Sequence, residues 1–394
     1  MRLAIVHDSM SHYGGAEKVL EQMHAAFPAA PVHVALWNPA RLPPHFRDWD
    51  IRTSWLDRLP LARRFHRAAF PLYPGAMHSL DLRGFDVVLS SSFNFAHNVV
   101  VDPDAVHVCY CHSPGRFLWD FAGYAARERI GGLRRALITA LLPAMRAQDM
   151  AAAQRVDRFV STSRLVKRRI AKYYRQDSLV LPPPIDCAEF APISTPGPGG
   201  YFLLLMRLVG WKRADIAIEA CNRLRLPLVV AGDGRDEARL HALAGPTIRF
   251  AGRVDGPAKA ALYAGCTALI LPALEDFGIT PLEAMASGRP VIALGAGGVL
   301  DTVRPGVTGE FFPEQSADSL VELLQDFDPR RYDPAAIRAH AETFDARSFR
   351  ARLVALVQAE YAAQRQPLPA PPLATAAPAP MPAPMPALAG TIGT

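Results

Sequence analysis

Short apolar runs alternate with helical patterns through most of the chain, and they do so twice, on either side of a segment that cannot be regular. Residues 3–7, 32–36, 86–90 and 107–111 read as strands in the first series. Residues 201–206, 228–231, 248–251, 268–271 and 291–293 read as strands in the second. Helical patterns separate them, among them 15–27, 213–224, 258–264 and 281–286. The strand runs are continuously apolar, as strands covered on both faces are, and parallel neighbours need helical crossovers. The pattern predicts an α/β chain of two doubly wound parallel sheets. The divider, residues 181–200 (LPPPIDCAEFAPISTPGPGG), is too dense in Pro and Gly for helix or strand. It separates a domain over 1–180 from one over 201–345. A final helix over 346–364 carries Phe349, Leu353, Leu356, Val357 and Tyr361 at helical spacing. Residues 365–394 are Pro/Ala-rich without a packing pattern, so disorder is expected there.

Charge narrows the partners. The net charge of +6 is uneven. Residues 1–180 hold 24 Lys and Arg against 15 Asp and Glu, whereas the remainder holds 19 against 22. A basic front half suits a phosphate-bearing substrate or an anionic membrane surface. No nucleic-acid motif accompanies it, so nucleic acid is not expected. Arg58, Arg63, Arg64 and Arg67, then Arg127, Arg129, Arg134 and Arg135, form basic groups interleaved with apolar residues. Ile130, Leu133, Leu137 and Leu141 share one helical face, which either packs on the core or meets a membrane surface. The five cysteines are odd in number and show no metal spacing, which fits a reducing cytoplasm. The first apolar run is too short for a signal peptide, and none reaches the about 18 residues that span a bilayer.

Four stretches carry candidate chemistry. The first is EDFGITPLEAMASGRPVIALGAGG, residues 275–298. Glu275 and Glu283 flank a Gly-containing turn, and Pro281 suits the first position of a helix, which puts Glu283 in its first turn. The free N–H groups of such a helix end hold an anion, and a carboxylate there accepts two hydroxyls of a sugar diol. Read alone, both glutamates are helix caps. The second stretch is MRLVGWKRADIAIEA, residues 206–220, with Arg207 at a strand end and Lys212 at a helix start. Two cations across a turn converge on one pyrophosphate, or are simply solvated. The third, HDSMSHYGGAEKVLEQM, residues 7–23, leaves a strand and enters a helix. Gly14 and Gly15 free its backbone to meet an anion, although the dinucleotide fingerprint Gly-x-Gly-x-x-Gly is absent. Glu17 completes GGAE and suits a structural role. The fourth, YCHSPGRFLWD, residues 110–120, places His112 after a strand end, where α/β proteins put ligand-contacting loops. Trp119 reads equally as core or as a platform. AGDG, residues 231–234, and AGRV, residues 251–254, are weaker signals near the same ends.

Taken together, these stretches resemble glycosyltransferase family 4 over residues 1–360, and Glu275 to Glu283 resembles its Glu-x7-Glu signature. The resemblance implies the GT-B fold: two Rossmann-like domains facing across a cleft, with the last helix returning to the first domain. It implies that Glu275 approaches the donor sugar and Glu283 holds the ribose. The intervening backbone, at Phe277, Gly278, Ile279 and Thr280, would cradle sugar and phosphate. Arg207, Lys212, Gly14 and Gly15 would neutralise the donor diphosphate, and His112 would act on the donor sugar beside Glu275. Arg116 would meet an acceptor or a phosphate. The expected activity is hexosyl transfer with retention of configuration, without a metal or other cofactor. No Asp-x-Asp lies among the candidate loops. The wording is most similar to bacterial mannosyltransferases of surface-polysaccharide assembly. GDP-mannose is therefore the first donor to consider, with a glycan or lipid-linked saccharide as acceptor at the inner face of the cell membrane. UDP-sugars, and a nucleotide-sugar-binding protein without catalysis, remain open.

Overall fold

A computed structural model of the chain describes residues 1–59, 62–63, 69–127, 130–193 and 199–365. Arg64, Arg67 and Arg129, part of the 181–200 divider and the tail from 366 lie outside the described residues, as does the side chain of Arg127.

Seven strands form the first sheet: β1 (Leu3–His7), β2 (Val32–Val34), β3 (Ile51–Thr53), β4 (Val87–Ser92), β5 (Val106–Cys111), β6 (Arg158–Ser161) and β7 (Ser178–Val180). Six form the second: β8 (Tyr201–Leu205), β9 (Leu228–Ala231), β10 (Ile248–Gly252), β11 (Cys266–Leu271), β12 (Val291–Leu294) and β13 (Gly309–Phe312). All pairings are parallel, in the orders β3-β2-β1-β4-β5-β6-β7 and β10-β9-β8-β11-β12-β13. β3, β6, β7 and β13 have no counterpart in the apolar runs. β3 and β7 are three residues long, and β6 and β13 mix apolar with polar or glycine positions (RFVS, GEFF). β3, β7 and β13 are sheet edges, which tolerate such strands because one side has no partner strand to satisfy, whereas β6 is an inner strand between β5 and β7 with only two apolar residues.

Strand order reverses between β1 and β4 and between β8 and β11. At such switch points successive crossovers diverge to opposite faces and open a crevice beyond the carboxyl ends of the strands. Both crevices open onto the space between the sheets, as the residues that line it show below.

The first sheet is covered on both faces. Ile5, Val32, Val34, Leu89 and Val108 pack beneath the Gly15–Ala26 helix, while Ala4, Val6 and Val88 pack with Phe95 and Phe117 opposite. The C-terminal helix, Ala346–Gln364, inserts Phe349, Leu353 and Val357 into the first of these cores, beside the Gly15–Ala26 helix. Burying each is worth about 1.5–3 kcal/mol. The helix is capped by Asp345, whose side chain accepts the Arg347 N–H at 2.8 Å.

The Gly132–Ala153 helix behaves otherwise. Ile130, just ahead of it, is buried, but Leu133, Leu137 and Leu141 are 77%, 60% and 49% exposed. The core-facing alternative therefore fails for these three leucines. The helix is anchored from its middle onward, where Leu142 is buried, Trp119 Nε1 donates to Asp149 at 2.7 Å and Arg146 Nε donates to the Leu118 carbonyl at 2.7 Å. Among the described residues no helix is long and apolar enough to cross a membrane. All five cysteines are buried and unpaired.

Candidate active site

The glutamate segment starts where β11 ends. Gly278 has φ +91°, a conformation that a side chain disfavours, and it turns the loop into the helix Ile279–Ala286. The helix thus starts two residues before Pro281, which corrects the expected start and moves Glu283 from the first turn to the second. Proline is tolerated at its third position because first-turn N–H groups have no helical partner. The loop is pinned from behind by the glycines after β12. Gly298 N donates to the Glu275 carbonyl at 2.9 Å. A Cβ on Gly298 would stand 2.1 Å from the Asp276 oxygen. From the first domain, Ser163 Oγ donates to the same Asp276 carbonyl at 2.6 Å.

The two glutamates open into different cavities, both lined by both domains. Glu283, with Ile279 and Thr280, faces one of about 900 Å³ that Gly14, Gly15, Lys18, Arg253, Asp255 and Lys259 also line. Glu283 Oε1 accepts from Lys18 at 3.0 Å and Lys259 at 2.8 Å, and Oε2 from the Tyr263 hydroxyl at 2.9 Å. Burial alone would push this carboxyl up, but the two ammonium groups outweigh it and hold the carboxyl below its usual range. Oε2 keeps an acceptor site, since a carboxylate oxygen offers two.

Glu275 faces a second cavity of about 420 Å³ with Arg207, Lys212, Trp211, His112 and Phe93. Its carboxylate receives the Lys212 ammonium, and both side chains are largely buried. Arg207 is exposed and lies two residues past β8. Arg207 and Lys212 therefore do share a wall. Gly14 and Gly15 do not join them: they line the larger cavity instead, where a Cβ on Gly15 would stand 3.2 Å from Ile279 Cδ1. The expected four-residue diphosphate set is divided between the two cavities. Phe277 offers the cleft its backbone alone, as the expected backbone cradle requires. Its side chain is 5% exposed and belongs to the core of the second domain, so only its backbone faces the loop. An aromatic ring gains more from that core than from the wet cleft.

On the first domain's side, His112 follows β5 and its Nε2 lies 2.9 Å from Ser91 Oγ. Burial pushes its ring down to about 3, so it is neutral. Arg116 lines the smaller cavity, but its guanidinium is already engaged there. It grips Asp276, Nε to Oδ2 at 3.1 Å, and Arg169 joins the same carboxylate. Burial would raise the Asp276 carboxyl, and the two guanidinium groups hold it low. Trp119 is neither free platform nor pure core: it stacks on Tyr173 at 4.9 Å. Glu17 closes a capping box on the Gly14 N–H at 2.9 Å.

The sequence reading missed Lys18, Lys259, Tyr263, Asp276 and Arg169. Lys18 directly follows GGAE and Asp276 directly follows Glu275, so proximity to the motifs was a usable signal for both. The others come from distant segments.

Residues 13–189 match the family model Glycosyltransferase Family 4, and residues 188–332 match Glycosyl transferases group 1. The chain is 47% identical over 104 residues to a GDP-mannose-dependent alpha-mannosyltransferase of Mycolicibacterium smegmatis, covering 26% of this chain and 28% of that protein. It is 35% identical over 156 residues to a GDP-mannose-dependent monoacylated alpha-(1-6)-phosphatidylinositol monomannoside mannosyltransferase of Corynebacterium glutamicum, covering 34% and 41%. The alignments thus span about a third of the length of the curated relatives they match. Among solved structures, sucrose-phosphate synthase of Thermosynechococcus elongatus superimposes with a TM-score of 0.69 at 19% identity, covering 92% of this chain and 100% of that one. Anabaena HepE in complex with UDP gives 0.66 at 15%, covering 91% and 100%. These likenesses identify the fold as GT-B.

Proposed function

We propose that this chain, a glycosyltransferase built of a family 4 domain and a group 1 domain, moves a hexosyl group from a nucleotide-sugar to a saccharide acceptor with retention of configuration. The observation that carries the reading is the divided cleft. Two carboxylates of one segment, Glu275 and Glu283, face two interdomain cavities, each carboxylate met by lysine. The larger, about 900 Å³, has room for a nucleoside and a ribose acceptor in Glu283. The smaller sets Arg207, Lys212, Glu275 and neutral His112 around the space for a diphosphate and a sugar. Arg207 and Lys212 stabilise the charge that develops on the departing diphosphate, the work a divalent ion does elsewhere. A front-face route, in which the leaving phosphate oxygen takes the acceptor proton, needs no further protein base.

GDP-mannose is the proposed donor. Two relatives are GDP-mannose-dependent mannosyltransferases, which supports it, and Asp255 beside the larger cavity offers an acceptor for the amino and imino N–H groups of guanine. The proposed acceptor is a glycan, free or lipid-linked, and the proposed place is the inner face of a cell membrane. The exposed leucines and arginines of the Gly132–Ala153 helix support that place.

A thermal-shift and turnover panel of GDP- and UDP-sugars, run with and without excess EDTA, tests these points together. GDP-mannose should raise the melting temperature most, by linkage, and transfer should survive EDTA. A larger shift with a UDP-sugar reassigns the donor. Activity lost to EDTA and restored by Mg²⁺ or Mn²⁺ overturns the charge-stabilisation reading. Binding without turnover on any acceptor leaves a nucleotide-sugar-binding protein.

A further inference from the structure

His112 does not stand alone. Its Nε2 lies 2.9 Å from Ser91 Oγ, and Ser91 Oγ lies 3.0 Å from His7 Nδ1. His7 Nε2 lies 3.6 Å from Glu17 Oε1, and Glu17 Oε2 accepts the Gly14 N–H at 2.9 Å. His7, Ser91 and Glu17 are buried, at 0%, 0% and 1% exposure. The four side chains form one file from the GGAE loop, across the carboxyl ends of β1 and β4, to a ring that lines the smaller cavity. His7 and Ser91 are register partners on adjacent strands, so the sheet fixes their spacing.

We propose that Glu17 sets the proton polarity of this file and thereby the tautomer that His112 presents to the donor sugar; the role of His112 rests on the transfer reading above. Two ends are fixed. Glu17 is an ionised acceptor: burial opposes its charge, but the facing His7 N–H and its own backbone N–H hold its carboxyl below the usual range. Its Oε2 is already engaged, so Oε1 is what His7 meets. At 3.6 Å the pair is too long for a full hydrogen bond, but neither His7 Nε2 nor Glu17 Oε1 has another partner among the described residues. In a neutral His7 a buried lone pair facing a carboxylate is strongly unfavourable, so the single ring proton sits on Nε2 and Nδ1 is bare. His7 Nδ1 is then an acceptor, and the Ser91 hydroxyl donates to it. Ser91 Oγ in turn accepts, which requires a proton on His112 Nε2. The bare Nδ1 of His112 is left as the ring's acceptor. His112 thus takes a hydrogen bond from a sugar hydroxyl rather than giving one. Glu17, His7 and Ser91 are positioning residues; none lines the smaller cavity.

Glu17→Gln tests this with little change of shape. The Gly14 N–H needs an acceptor, so the glutamine carbonyl turns to it and the amide NH₂ faces His7. Every proton in the file then reverses, and His112 carries its proton on Nδ1. The readout is the ring ¹⁵N shifts of His112 in the full-length protein. Wild type should report the Nε2–H form and Glu17→Gln the Nδ1–H form. Ser91→Ala cuts the file, so adding it should make the His112 tautomer insensitive to Glu17→Gln. In kinetics, Glu17→Gln should lower kcat about tenfold, one misdirected hydrogen bond, and leave nucleoside diphosphate affinity unchanged. A His112 tautomer that is the same in wild type and Glu17→Gln overturns the proposal, whatever the turnover. A tautomer that switches while kcat stays constant keeps the file but removes His112 from the reaction. The spectroscopic arm therefore separates failure of this inference from failure of the transfer reading.

Discussion

Glu275 and Glu283 resemble each other in sequence and differ in surroundings, and the difference is measurable. Glu283 holds two ammonium groups and a phenol, so Glu283→Gln removes a buried charge from a three-partner cluster. It should lower both stability and affinity for free nucleoside diphosphate, by about 1.5–3 kcal/mol for each charged hydrogen bond lost. Among the described residues the Glu275 carboxylate meets Lys212 alone by hydrogen bond, in the smaller cavity. Glu275→Gln should leave nucleotide affinity unchanged and depress turnover about ten- to hundredfold. Calorimetric binding and steady-state kinetics on both variants check this; equal losses of nucleotide affinity would refute the division of labour. The pH dependence follows from the depressed Glu283 carboxyl. A group whose folded pKa lies below its unfolded value adds stability in full above the ordinary carboxylate range. That stability is lost as pH falls through the folded value. Wild type should therefore lose melting temperature on acidification below about pH 4 more steeply than Glu283→Gln.

At the level of elements, the strands that carry the site were legible, whereas three of the four edge strands and the inner β6 were not. β1, β4, β5, β8 and β11 are central and covered on both faces, and each holds an apolar core run, ending in polar residues only at β1 and β4. β3 and β7 sit at the sheet edges, where no such composition is demanded. The helix start was misjudged for a specific reason: Pro281 was weighed above Gly278, although the positive φ of the glycine is what turns the chain. The glycine pair before Val299 was visible as a motif, but its purpose was not, because the contact is long-range. Gly298 lies directly against the Asp276 backbone. Gly298→Ala forces the Glu275–Asp276 loop outward at a cost of about 1–3 kcal/mol, typical of overpacking. The expected result is a melting temperature lower by several degrees, with turnover down more than stability alone explains, since Glu275 moves too. Gly200, with open space around its Cβ position, is the control, and Gly200→Ala should behave as wild type. Equal behaviour of the two variants in kinetics would remove the loop-pinning role.

The whole molecule shows what one-dimensional patterns miss: contacts between distant segments. The file from Gly14 to His112, the grip of Arg116 and Arg169 on Asp276, and the Lys18–Glu283 pair all join residues more than 80 positions apart at some link. Spacing rules act within an element and carry no information on such pairs. The Gly132–Ala153 helix is the reverse case, because its missing partner is informative. Leu133, Leu137 and Leu141 recur every four residues, so they form one stripe along a helix. Arg134 and Arg135 are exposed on the same turn, and no acidic residue occurs between 131 and 148. An apolar stripe with a cationic border fits an anionic lipid surface, where each basic residue adds about 1 kcal/mol and each inserted leucine up to about 1.5–3 kcal/mol. The same helix holds Trp119 and Leu118 through Asp149 and Arg146, and Phe117 and Tyr124 from that region line the smaller cavity. Docking there would bring the sugar end of the cleft toward the lipid. The protein should therefore sediment with phosphatidylglycerol vesicles and not with phosphatidylcholine vesicles, and the binding should weaken as salt rises from about 0.1 to 0.5 M, because the charge term is screened. The double variant Leu133→Ser, Leu137→Ser should lose binding at least about tenfold, since its apolar contribution exceeds 1.4 kcal/mol. It should keep wild-type turnover on a water-soluble acceptor, because neither residue touches the cavities. If wild type and double variant partition equally, or if binding ignores both lipid charge and salt, the exposed stripe serves some other contact and the membrane placement falls with it.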